Sequence, residues 1–122
     1  MKKQQMGTEE ARFADLIWEL EPTSSAELAR ISGERFGWKK TTSYTVLKRL
    51  CAKGFFSNEN GTVSSLISRD EFYSDESESF VYTAYKGSLP AFFAAFTKRK
   101  GLKQEELDEI RRMLDEYESK NS

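Results

Sequence analysis

From residue 9 the apolar positions recur at three- and four-residue steps. Phe13, Leu16, Ile17 and Leu20 share one face, which predicts an amphipathic helix over 9–20. Thr8 stands where an N-cap belongs, Glu9 and Glu10 suit the positive helix end, and Pro22 stops the run. Ser24 and Glu27 are spaced as a capping box and open a second helix carrying Leu28, Ile31 and Phe36, with Gly37 as its stop. A third helix is predicted over 40–53, with Val46, Leu47, Leu50 and Cys51 inward and Gly54 at its end. Two short runs, Phe55–Asn58 and Val63–Ile67, then flank Glu59-Asn60-Gly61-Thr62, and Asn-Gly between such runs predicts a hairpin.

Three helical segments follow. Ser68 and Glu71 form another capping box for a helix over 69–86, with Phe72, Tyr73, Phe80, Val81, Ala84 and Tyr85 as its apolar positions. Gly87 ends it, and Ser88 caps a fifth helix that tolerates Pro90 in its first turn and carries Leu89, Phe92, Phe93 and Phe96. After Gly101, a last helix over 103–119 spaces Leu107, Ile110, Leu114 and Tyr117 as a helix–helix seam. Three helices and a hairpin are the order of a winged helix-turn-helix. The fold class expected is therefore mainly α with a small β-hairpin wing. A winged-helix domain over 7–68 is followed by a C-terminal helical dimerisation segment over 69–119. Phe92, Phe93, Phe96, Leu107, Ile110 and Leu114 are too many apolar groups for a short tail to hide, so they are expected to meet a second copy of the chain.

Composition narrows the function. Among the 122 residues there is no histidine and one cysteine. That removes histidine-based catalytic triads, imidazole zinc sites and thiolate cages, and no cofactor or metal is expected. The lone Cys51 is read as a small buried hydrophobe, and the absence of an internal disulfide fits a reducing cytoplasm. The N-terminal stretch MKKQQMGTEEARF has no apolar core, so no secretory signal is expected there, and no run is long enough to insert into a membrane.

The formal net charge of -1 conceals an asymmetry. Residues 1–70 hold 11 Lys/Arg against 9 Asp/Glu, net +2, whereas 71–122 hold 8 against 11, net -3. Within the first part, KKTTSYTVLKRLCAK (39–53) has five Lys/Arg and no acid. Such a patch is what contact with nucleic-acid phosphates requires. If Val46, Leu47 and Leu50 face inward, then Lys40, Thr41, Ser43, Tyr44, Thr45, Lys48 and Arg49 face outward. Thr41, Tyr44, Thr45 and Lys48 form one stripe able to reach base edges in a major groove. Lys39, Lys40, Thr41 and Thr42 at the helix start suit phosphate oxygens, and Lys39, Lys40, Lys48, Arg49 and Lys53 are the expected phosphate cations.

Beyond these residue-level readings, the chain resembles the penicillinase-repressor (BlaI/MecI-type) family. The matching stretches are LIWELEPTSSAELA, GWKKTTSYTVLKRLCAKGF, LISRDEF, the GS of KGSLPAFFAAF, and LKQEELDEIRRMLDE, in the family's order from 11 to 118. The resemblance implies a homodimeric, cytoplasmic winged-helix repressor that binds a palindromic double-stranded DNA operator and is dimerised by its C-terminal helices. By position, the operator-reading residues fall on Thr41, Thr42, Tyr44, Thr45, Lys48 and Arg49. It also implies, for some members, a membrane sensor metalloprotease as partner, with a cut at an Asn-Phe bond in the fifth helix. The aligned pair here is Ala95-Phe96.

Four departures mark this chain. Tyr44 stands where the family often has Arg or Lys, and the wing SNENGTV has no Lys or Arg. Ala95 replaces the Asn of the cut, and the paired-cysteine tail of the copper-responsive branch is absent. The alternative reading from another class is a dimeric protein-interaction module on a winged-helix scaffold. An enzyme is third, since neither a nucleophile elbow nor a Gly-rich phosphate loop is present.

Overall fold

The structure is a computed structural model describing residues 4–121. Lys2 and Lys3 of the N-terminal stretch read above lie outside the described residues. The elements run α1 (Thr8–Leu20), β1 (Thr23–Ser24), α2 (Ser25–Phe36), α3 (Lys40–Ala52), β2 (Phe56–Glu59), β3 (Thr62–Ser65), α4 (Arg69–Tyr85), α5 (Leu89–Arg99) and α6 (Gln104–Asn121). The fold is mainly α with an antiparallel wing, as expected. The chain forms two compact units, one reaching to Asp75 and the other beginning at Glu76. The division lies inside α4, past the expected 68/69 boundary, because Phe72 packs with the first unit: its ring is 5.2 Å from Phe55 and 5.9 Å from Trp18.

In the first unit the core is Phe13, Leu16 and Ile17 of α1, Leu28 of α2, Val46, Leu47 and Leu50 of α3, with Phe55, Phe56 and Val63 from the wing. Trp18 closes its lower side, packing on Phe56 at 5.2 Å and donating its indole N–H to the Ile67 carbonyl at 3.0 Å. The sequence pattern did not show β1. Thr23 and Ser24 pair with Val63 and Thr62, giving a three-stranded sheet of order β1-β3-β2. A two-residue strand has no period of its own; it exists because Thr23 and Ser24 run beside β3, where the Glu21 side chain accepts from the Ser65 amide at 2.7 Å.

Local expectations mostly hold. Ser24 accepts from the Glu27 amide, Ser68 from the Glu71 amide and Ser88 from the Ala91 amide. Asn60 and Gly61 both have positive φ, at 53° and 86°, the conformation a two-residue hairpin turn demands. One cap is corrected. Gly7, not Thr8, caps α1, because the Glu10 side chain reaches back to accept the Gly7 amide at 2.7 Å.

The second unit holds the rest of α4 with α5 and α6. Phe80, Tyr85, Phe92 and Phe96 form a ring cluster with centroid separations of 5.6 to 6.2 Å. Neither α5 nor α6 contains a buried residue. Phe96 is 46% exposed and Leu114 61%. No described helix is long and apolar enough to cross a membrane.

Candidate nucleic-acid interface

The helix α3 owes its position to its inner face. Val46, Leu47 and Leu50 are buried against α1 and α2. Ser43, expected to face outward, is only 1% exposed and belongs to this inner face. Its hydroxyl bonds the buried hydroxyl of Ser32 on α2, and Ser32 in turn donates to the Ala29 carbonyl at 3.1 Å. Since Ser32 spends its one proton on Ala29, Ser43 is the donor between the two. A buried hydroxyl with a full set of partners costs little and ties α2 to α3 at a fixed register. The turn between the helices is held from the other side. Gly37 takes φ of 70°, and Trp38 stacks on Phe13 at 5.6 Å and packs on Phe36 at 5.2 Å.

The outer face is polar and open. Lys39, Lys40, Thr41, Tyr44, Thr45, Lys48 and Arg49 are exposed and Thr42 is half-buried. Among the described residues none of Lys39, Lys40, Lys48 and Arg49 takes part in an ion pair, whereas Arg30 and Arg35 of the neighbouring helix α2 are paired with glutamates. Those carboxylates push both guanidinium pKa values up, Arg30 through Glu27 above all. The Thr45 hydroxyl donates to the Thr41 carbonyl at 2.8 Å, and the residue stays exposed. A shallow hollow beside this stripe is lined by Glu9, Thr41, Thr42, Thr45, Val46 and Arg49. Cations outside ion pairs, beside hydroxyl and phenol groups on one helix face, can bind phosphate oxygens and meet base edges.

Lys53 departs from expectation. Its ammonium lies 2.8 Å from Glu10 Oε1 and 2.8 Å from the Gln5 carbonyl, so it ties α3 to the start of α1 and is not free for phosphate. Burial would push the Glu10 carboxyl up, but the Gly7 amide, the Lys53 ammonium and the charge of Arg49 outweigh it and hold it below its ordinary value. Cys51 is half-buried and burial pushes its thiol up, so the thiolate is disfavoured. The wing tip presents Asn58, Glu59, Asn60 and Thr62 to solvent and no cation.

A model of the penicillinase repressor family matches residues 6–116. The chain belongs to that family. It is a transcriptional repressor and not an enzyme. Similar curated proteins are methicillin resistance regulatory proteins. The one from Staphylococcus aureus is 24% identical over 117 residues, covering 93% of this chain and 95% of the relative. Those from Mammaliicoccus sciuri and Staphylococcus epidermidis are 23% identical over the same spans. In this repressor the structure brings Lys39, Lys40, Thr41, Tyr44, Thr45, Lys48 and Arg49 onto one accessible helix with Thr42 at its edge, and it removes Ser43 and Lys53 from that set. The signal for Ser43 was in the spacing: 43, 46, 47 and 50 fall on the same inner stripe.

Proposed function

We propose that this repressor binds a palindromic double-stranded DNA operator as a homodimer, laying α3 of each protomer in a major groove. The observation that carries the reading is the outward face of α3, where four cations without ion-pair partners stand beside Thr41, Tyr44 and Thr45 on a helix locked into the core. Lys39, Lys40, Lys48 and Arg49 contact phosphates and set the register, with Thr42 beside them. Thr41, Tyr44 and Thr45 face base edges. The wing carries Glu59 and no Lys or Arg, so the phosphate affinity belongs to α3. The unit reaching to Asp75 serves as the DNA-binding domain and the helical unit from Glu76 as the dimerisation domain. The exposed Phe93, Phe96 and Leu114, with half-buried Phe92, Leu107 and Ile110, support a second copy as the cover for this surface. The repressor acts in the cytoplasm. Ala95-Phe96 lies within α5, and with Ala in place of Asn control by a membrane sensor protease gives way to another signal.

The reading is tested by comparing base preferences of the parent with Tyr44→Ala and Thr45→Ala on a randomised DNA library. Both variants should keep the fold and change the preferred bases. Unchanged preferences in both would show that the stripe faces elsewhere, and equal binding to all sequences would favour the protein-interaction module.

A further inference from the structure

Two blocks of opposite charge stand side by side in the second unit. Lys98, Arg99, Lys100 and Lys103 close α5 and lead into α6, with no acid among residues 98–103. Glu105, Glu106, Asp108 and Glu109 then open α6, with no base among residues 105–109. All eight residues are exposed. The two blocks do not neutralise each other within the chain. Among the described residues none of Lys98, Arg99, Lys100 and Lys103 takes part in an ion pair, and the acids that are paired reach forward, Asp108 to Arg111 and Glu109 to Arg112. Glu106 accepts the Lys103 backbone amide at 3.0 Å through one carboxylate oxygen, which caps the helix, leaves the second oxygen open and does not engage the Lys103 ammonium.

The acids also frame an apolar surface. Glu105, Glu106 and Glu109 line a shallow hollow whose floor is Ile110. An apolar floor with a carboxylate rim fits a lysine or arginine side chain, its aliphatic stem on Ile110 and its charge among the oxygens. A two-fold interface places a patch against its own copy, so a patch carrying both signs in adjacent blocks is self-complementary: the cations of each chain fall on the acids of the other.

We infer that the turn joining α5 to α6 lies beside the two-fold axis of a homodimer, where Lys98, Arg99, Lys100 and Lys103 of each chain pair with Glu105, Glu106 and Glu109 of the other, and that this exchange selects a second copy of this chain over other apolar partners. The inference rests on the homodimer reading above. Its chemistry is separate from the apolar seam, because apolar burial holds two chains together without specifying which two.

The experiment uses two charge-reversed full-length chains, Lys98→Glu/Lys100→Glu/Lys103→Glu and Glu105→Lys/Glu109→Lys, with helix content followed by circular dichroism and association by sedimentation equilibrium. Each variant alone should dimerise about tenfold more weakly than the parent, from the loss of several symmetry-doubled exposed pairs. An equimolar mixture should recover association as a heterodimer. A helix weakened by its own substitutions would not recover on mixing. The parent dimer should itself loosen as salt rises from about 0.05 to 0.5 M, where screening shortens the reach of exposed charges. Parent-like dimers from each variant, or a salt-independent parent, would overturn the cross-pairing and leave the homodimer standing. A monomeric parent would overturn the homodimer itself.

Discussion

Replacing Lys53 with methionine tests whether α3 is held to α1 by charge as well as by packing. Methionine keeps most of the aliphatic stem and removes the ammonium. The parent pair has an N–O separation of 2.8 Å, with the Glu10 side chain 8% exposed and Lys53 29%. Breaking a fully buried pair from one side costs about 3–5 kcal/mol, and an exposed pair contributes at most about 1 kcal/mol. Lys53 is partly open to water and the Gly7 amide still serves Glu10 Oε1, so a loss of about 2 kcal/mol is expected at pH 7. With a urea m-value of about 2 kcal/mol/M the unfolding midpoint falls by roughly 1 M. The loss depends on pH in a defined direction. The folded Glu10 carboxyl lies below its ordinary value of 4.5, so its contribution is present above that value and disappears as pH falls through the folded one. The parent and Lys53→Met should therefore converge in stability at acid pH. Urea unfolding followed by circular dichroism at neutral and acid pH reads both effects. A variant as stable as the parent at pH 7, or a gap that widens on acidification, would refute the clamp.

Lys40→Ala should weaken binding to all DNA sequences about equally and lower the slope of log affinity against log salt by roughly 0.9, read by fluorescence anisotropy across a salt series. Phe96→Asp places a charge in the exposed apolar surface of α5 and should yield a monomer in sedimentation with sharply weaker operator binding; a dimeric variant would move the seam elsewhere. Ala95-Phe96 should stay intact in cells treated with a cell-wall-active antibiotic, because a protease needs extended chain and Ala94-Ala95 favours the helix. Mass spectrometry detecting a fragment that ends at Ala95 would restore the family's proteolytic induction.

The elements that carried their own period or punctuation were legible in sequence. The apolar steps of α1 and α3, the Ser24 and Ser88 caps and the Asn60-Gly61 turn all reflect interactions spanning at most a few residues. What escaped depends on partners far along the chain. β1 is a strand only because β3 lies beside it. Lys53 reads as one more cation until Glu10, 43 residues earlier, is found against it. Ser43 looks polar and outward until Ser32 supplies a buried partner. The basic face of α3 was legible because its function needs only one helix to bring the groups together, and the two corrections fall where a second element intervenes.

Whether α3 reads a two-fold DNA site is decided by selecting bound fragments from a fully random double-stranded pool. The parent should enrich an inverted repeat whose half-sites lie on one face of the duplex, about 10 base pairs or a multiple apart centre to centre, with the half-site motif altered when Thr45→Ala replaces the parent. Enrichment of no motif, or of a single site without two-fold symmetry, would contradict that reading.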